Sequence, residues 1–222
     1  MNQFTQKQPG PWGKLVGKLK TTIFGSGTKP KAADMIVVVS GLPRSGTSMM
    51  MKMLEAGGIP PLTDAVRTAD VDNPQGYYEF ERVKKLDKGD TAWLPAARGK
   101  AVKVISMLLK HLPPDYAYRV IFMRRHLDEV LASQRQMLAH RNETGSQTSE
   151  AELARMFELH LQQVSGWLAD QPNFAVIEID YNNLLADPAE QVGLVSRLLG
   201  DQLDQEAMLG VIDPALYRKR RD

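Results

Sequence analysis

The chain has no cysteine among its 222 residues. Disulfides, thiolate metal sites and cysteine nucleophiles are thereby excluded, and the composition fits a reducing, cytoplasmic setting. Long hydrophobic runs are missing too. The longest clean apolar run is Met35–Val39, whereas a membrane span needs ~20 apolar residues. The first residues lack the apolar stretch of a secretory signal. Charge of one sign is also lacking: 28 basic against 26 acidic residues leave a net +2, too little to draw the whole molecule to nucleic acid. No internal repeat is seen. What remains is ordinary: 43% hydrophobic and 24% charged residues, with 17 Gly and 13 Pro. Such a composition rules out disordered, collagen-like and coiled-coil chains.

The charge is unevenly placed. Residues 1–34 carry six lysines and one acid, Asp34, with five glycines and Pro9, Pro11 and Pro30. This stretch reads as a basic appendage to a folded domain over 35–222. Within it Trp12, Leu15, Val16, Leu19 and Ile23 recur at helical spacing between lysines. That pattern suits packing on the chain's own core or, over residues 12–24, a peripheral contact with a membrane surface.

From residue 35 onward, strands and helices alternate. Met35–Ser40 is a β-branched strand, and Ser48–Ala56 a helix closed by Gly57 and Gly58. Ile59–Gly76 reads as a loop and Tyr78–Asp87 as helical. Ala101–Ser106 and Tyr118–Arg124 read as strands. Leu127–His140 is a helix with Val130, Leu131 and Leu138 on one face. Arg141–Ser146 is polar loop. Thr148–Asp170 is a long helix opened by Ser149 with Glu152 three residues on, a capping box. Phe174–Ile179 is a strand, and two further helices are expected over 181–200 and 202–211. Alternation of this kind predicts an α/β fold: a mostly parallel sheet with helices on both faces. Ligands of such folds sit at the carboxyl ends of strands, here just after residues 40, 106, 124 and 179.

After the first strand comes Gly41-Leu42-Pro43-Arg44-Ser45-Gly46-Thr47-Ser48. Glycines between a strand and a helix make a loop whose amides and helix N-terminus favour an anion. The nucleotide-triphosphatase version of this loop has lysine where Thr47 stands. Arg44, inside the loop, is the replacement cation. The reading is therefore anion binding by Pro43, Arg44, Ser45, Gly46, Thr47 and Ser48.

Pro43–Ser48 resembles the 5′-phosphosulfate loop of the sulfotransferase family, whose donor is 3′-phosphoadenosine 5′-phosphosulfate. A second family motif is a strand ending in Arg with Ser eight residues later. Arg125 and Ser133 match it, with Arg124 as the out-of-register alternative. The resemblance implies that Arg125 and Ser133 hold the donor's 3′-phosphate, and it implies the three-layer, P-loop-like sandwich of that family. It spans roughly residues 35–216. His126 and Leu127 stand where the family has Asn-Pro. The Gly-rich C-terminal loop of the cytosolic branch is missing, with Tyr217-Arg218-Lys219-Arg220-Arg221 as its substitute and Arg218 as a donor contact. The short length and arginine loop look more like bacterial and carbohydrate- or tyrosyl-protein-type branches.

Sulfuryl transfer needs a base for the acceptor proton, positive groups where charge grows on the leaving oxygen, and alignment of the acceptor. No metal is implied, because the transferred group carries less charge than a phosphoryl. Arg44, Thr47 and the loop amides suit the second task. Lys103, in an otherwise apolar strand, is a further candidate, since the family often has lysine near the end of the equivalent strand. For the base, Asp64 and Glu79 are the candidates, with Glu81 and His111 behind them. Pro74, Gly76, Tyr77 and Tyr78 suit a loop lining an acceptor pocket. The acceptor, whether small molecule, carbohydrate or protein, is not readable from the sequence, nor is oligomeric state. Rival readings are a P-loop small-molecule kinase, which the missing loop lysine disfavours, and a non-catalytic nucleotide-binding or membrane-associated module.

Overall fold

The computed structural model describes residues 34–64, 76–140, 149–200 and 203–212. The basic segment up to residue 33, Pro74, the loop 141–148 and the tail holding Tyr217 and Arg218 lie outside the described residues. Four parallel strands form one sheet: β1 (Ile36–Gly41), β2 (Ala101–Lys103), β3 (Tyr118–Arg124) and β4 (Phe174–Asp180), in the order β2-β1-β3-β4. The register sets Val39 beside Lys103, Gly41 beside Met123 and Arg124 beside Asp180. β1 and β3 are central, so their connections leave in opposite directions and open a crevice at their carboxyl ends.

The run Ile36–Val39 is continuous rather than alternating because both of its faces are covered. On one face, Val37, Val39, Ile121 and Ile177 pack against α1 (Thr47–Ala56), α5 (Pro188–Leu199) and α6 (Gln205–Gly210) through Met50, Leu54, Val195 and Met208. On the other, Ile36, Val38, Val120 and Phe174 meet Trp93, Leu94, Leu109 and Leu168 of α3 (Glu150–Asp170). This is the α/β sandwich expected from the alternation.

α2 (Leu127–His140) has the expected bounds, and Val130 and Leu131 are buried on it. Ser149 caps α3 with the full capping box to Glu152. Three expectations are corrected. β2 ends at Lys103, and Ser106–His111 is a 3₁₀ turn. An apolar run reads as strand, yet Val104 makes the last ladder bond, to Val39, before the chain turns. Tyr78–Phe80 is not helical, and the helical part is a 3₁₀ segment, Glu81–Lys88. Residues 181–200 hold two helices, α4 (Tyr181–Ala186) and α5, because Pro188 starts a new helix under the Asp187 cap. No helix among the described residues is long and apolar enough to cross a membrane.

Candidate active site

The loop after β1 is built for close approach. Gly41 has φ +146°, and a Cβ there would lie 2.5 Å from Ser45 Oγ and 2.6 Å from the Met123 carbonyl. Ser45 itself closes the turn, donating from Oγ (2.7 Å) and from its amide to the Leu42 carbonyl. Gly46 is the N-cap of α1 at φ +97°, with a would-be Cβ 2.5 Å from the Tyr181 ring. Glycine caps with no side-chain acceptor, so the cap residue itself leaves the first-turn amides of α1 unbonded by a side chain of its own. Those amides and the helix dipole favour an anion beside them. Between the glycines Arg44 adopts φ +71°, a conformation costing a non-glycine residue ~1–2 kcal/mol. It turns the side chain toward α2, where Nε donates to Ser133 Oγ at 3.0 Å.

β3 delivers two arginines with opposite fates. Arg124 pairs with Glu178 of β4 at 3.7 Å. Arg125 turns to the loop. Its Nη1 donates to the Arg44 carbonyl at 3.2 Å, and its Nε to Glu129 Oε2 at 2.9 Å. Its guanidinium lies 4.5 Å from the centre of the Tyr181 ring. Arg125 and Ser133 thus both contact Arg44, whereas Arg124 pairs across to β4. Glu129 is buried at 3% exposure and also accepts from Asn182 Nδ2 at 2.9 Å. A buried charge persists only when paired and hydrogen-bonded, as here.

Glu129, Tyr181 and Asn182 were not singled out by the sequence reading. Their signals were present. Glu129 stands four residues after Arg125, one helical turn away. Tyr181 and Asn182 follow the carboxyl end of β4, one of the places where ligands were expected.

Lys103, the last residue of β2, donates to the Tyr77 carbonyl, and its Nζ stands 3.4 Å from Ser48 Oγ. Ser48 Oγ also lies 3.5 Å from that carbonyl. Lys103 is therefore at the start of α1, half-buried, and not pointing out at the sheet end. Thr47 opens the helix beside Ser48.

The segment after Gly76 is pinned here. Tyr78 has φ +50° and bonds Glu55 Oε2 of α1 at 2.5 Å. Burial, then the Glu55 carboxylate, push its phenol well above the usual range. Tyr77 is buried at 4% exposure. Both rings are thus engaged in packing, and the carbonyl of Tyr77, rather than its ring, faces Lys103.

Asp64 and Glu79 come together. The Glu79 carbonyl accepts from the Thr63 hydroxyl at 2.8 Å and from the Asp64 amide at 3.4 Å. Asp64 Oδ2 caps Glu81 N at 2.7 Å, whereas the Glu79 carboxylate stands 3.5 Å from Lys84. His111 ends the 3₁₀ turn, His126 is exposed ahead of α2, and His160 shares a 2.8 Å contact with the buried Ser106 hydroxyl.

A cavity of about 300 Å³ opens beneath the loop, lined by Ser45, Arg125, Val130, Glu158, Leu161 and Asp180 among others. The arrangement as a whole gathers cations and an uncapped helix start at the ends of β1, β2 and β3. It can bind a ligand with two separated anionic groups.

Comparison with known proteins agrees with this chemistry. The model of the sulfotransferase domain matches residues 34–221. Retinol dehydratase in complex with androsterone and inactive cofactor PAP superposes with a TM-score of 0.49 at 18% identity, over 82% of this chain and 64% of that one. This chain therefore spans just under two thirds of that protein's length. The sulfotransferase domain of the Synechococcus PCC 7002 olefin synthase gives 0.47 at 15% identity, over 89% and 86%. The sulfotransferase from Alicyclobacillus acidocaldarius gives 0.42 at 16%, over 78% and 82%. No curated protein matches the sequence.

Proposed function

The chain belongs to the sulfotransferase domain family and is a transferase, and from that premise we propose that it moves a sulfuryl group from 3′-phosphoadenosine 5′-phosphosulfate to a hydroxyl or amine. The observation that carries the reading is the meeting of Arg44, Arg125 and Ser133 beside the uncapped start of α1. These residues fit a donor with phosphate at two ends. The Pro43–Ser48 backbone, Arg44 and the N-terminus of α1 hold the 5′ end. Arg125 and Ser133 hold the 3′-phosphate, and Arg218 is a further proposed contact. Bound donor supplies the SO₃ group: the acceptor lone pair forms a bond to sulfur as the sulfur–oxygen bond to the 5′-phosphate breaks, and that oxygen keeps the electron pair.

The chain's own residues do the rest. Lys103 and Ser48 stand where negative charge on the leaving oxygen is stabilised. Glu79 takes the acceptor proton. Asp64 is the alternative: its carboxylate caps Glu81 N, and that of Glu79 lies 3.5 Å from Lys84. The acceptor oxygen or nitrogen loses one proton to that carboxylate and gains the sulfuryl group.

The test is a binding and transfer pair. Calorimetry in excess chelator should show adenosine 3′,5′-bisphosphate binding at least ~10-fold, or ~1.4 kcal/mol, tighter than adenosine 5′-phosphate. Sulfur-35 from labelled donor should appear in an acceptor. Tighter binding of Mg²⁺-ATP than of the bisphosphate would move the assignment to a kinase, despite Thr47 in the lysine position.

A further inference from the structure

We propose that Glu55 and Tyr78 are positioning residues for the transfer. Together they turn the Tyr77 carbonyl toward Lys103 and so fix the Lys103 ammonium at the start of α1, where the 5′-phosphate oxygen of the donor is released. The inference rests on the sulfuryl-transfer reading above and adds to it two side chains that act through Lys103.

The backbone after residue 76 is strained. Among the described residues, the non-glycine positions with positive φ are Arg44, in the donor loop, and Tyr78, at +50°. For a bulky residue this conformation is an outlier. Gly76, at φ +82°, precedes it by two, so the chain is turned on both sides of Tyr77. Strain of this kind persists only where the surroundings over-determine the conformation.

Those surroundings lie along one face of α1. Ser48 and Glu55 are seven residues apart, close to two full turns, and share that face. Tyr77 and Tyr78 span the interval. The Tyr77 carbonyl lies 3.5 Å from Ser48 Oγ, and the Tyr78 hydroxyl donates to Glu55 Oε2 at 2.5 Å. Burial, then the Glu55 carboxylate, hold the phenol in its protonated, donating form. The Tyr77 ring is buried as well. The segment is thus held at both ends, and its one inward-facing polar group is a carbonyl.

That carbonyl receives Lys103. Nζ donates to it and stands 3.4 Å from Ser48 Oγ. Lysine is a point charge on a flexible stem, and ordering such a side chain opposes binding. Here the ordering is done before a ligand arrives. The choice of partner also matters. An ammonium has three N–H donors and can serve a carbonyl and an anion together. A neutral carbonyl orients the charge without cancelling it, whereas a carboxylate in its place would compete with the donor. The Glu55 carboxylate is kept roughly 10 Å further along the helix axis. The bonds made and broken remain those of the transfer described above.

The experiment is calorimetry on the full-length protein with adenosine 3′,5′-bisphosphate, adenosine 3′-phosphate and adenosine 5′-phosphate. The affinity ratio of the first to the second reads the 5′-phosphate contacts. The ratio of the first to the third reads the 3′-phosphate contacts. Lys103→Met should lower the 5′ ratio about 10- to 100-fold. Tyr78→Phe, which removes one hydroxyl, and Glu55→Ala, at an exposed helix position, should each lower it about 2- to 10-fold, the range for ordering one long side chain. Glu55→Gln still offers Tyr78 an acceptor and should stay within about twofold of wild type. The 3′ ratio should stay within about twofold throughout. In a Lys103→Met background, Tyr78→Phe should have no further effect, because it acts through that ammonium. A merely structural role would lower both ratios alike, or add to Lys103→Met, and either result overturns the inference. So does a wild-type 5′ ratio in both Tyr78→Phe and Glu55→Ala. A wild-type protein that binds the bisphosphate no more tightly than the two monophosphates would instead remove the transfer reading, and this inference with it.

Discussion

Arg44 and Ser133, 89 residues apart in sequence, share a 3.0 Å hydrogen bond that ties the loop after β1 to the second turn and beyond of α2. The bond brings the two proposed ends of the donor site together. Arg44→Ala should weaken binding of adenosine 3′,5′-bisphosphate by about 10- to 100-fold, since a charge-assisted contact contributes ~1.5–3 kcal/mol. Ser133→Ala should act in the same direction. Calorimetry on the two single variants and the double variant should show effects that do not add, as expected of residues in contact. Unchanged affinity in both folded single variants would remove them from the site.

Glu129 is the buried partner that keeps Arg125 in place. Glu129→Ala should cost about 3–5 kcal/mol of stability, because it leaves Arg125, 9% exposed, without its counter-charge. Glu129→Gln should cost less, since an amide still bonds Asn182. Urea unfolding measures both. In the Gln variant, the ratio of bisphosphate to adenosine 5′-phosphate affinity should fall, as Arg125 loses its fixed orientation. A ratio equal to wild type would make Glu129 a stability residue alone.

Gly46→Ala tests the loop and Tyr181 at once. The substitution puts a Cβ at φ +97° and 2.5 Å from the ring. It should lower stability by at least ~1 kcal/mol and weaken bisphosphate binding. Adding Tyr181→Ala relieves the contact but not the backbone strain, so rescue of binding should be partial at most. Thermal unfolding and calorimetry on the single and double variants decide this.

The fold was legible wherever the deciding interaction was local. Ser149 and Glu152 cap α3 across three residues, and the β-branched run at β1 reads as buried strand without its neighbours. Arg125 and Ser133 were singled out through the family resemblance, and the strand-to-helix junction brings both to Arg44. What escaped depended on distant packing. Glu129 and Asn182 are 53 residues apart and meet because β3 and β4 pair. The rings of Tyr77 and Tyr78 looked like pocket lining, but core burial and the Glu55 carboxylate claim them. Ala101–Ser106 looked like one strand because apolar composition does not mark where a ladder stops.

His160 supplies a pH prediction. Burial, with a smaller contribution from Lys110, holds its pKa below the ordinary histidine value of 6.5. Neutral His160 therefore favours the folded state. The unfolded chain binds the extra proton first as pH falls, so stability is intact above pH ~6.5 and is lost progressively below it, down to the folded-state pKa. His160→Gln should flatten the stability profile between pH 7 and 5 in urea titrations. A slope identical to wild type would place the titrating group elsewhere.

The strand order separates two responsibilities. The proposed donor contacts Arg44, Arg125 and Ser133 hang on the central pair β1 and β3, which are registered from Ile36 beside Tyr118 to Gly41 beside Met123. The exposed Ile105 and Met107 follow β2, which pairs with β1 over three residues and is bridged on its outer side at Pro61. Substitutions at the exposed Ile105 and Met107 can therefore drift without disturbing the ladder that carries the anion site. A lineage with this topology can vary the exposed turn after its outermost strand while the ladder beneath the proposed donor contacts stays fixed.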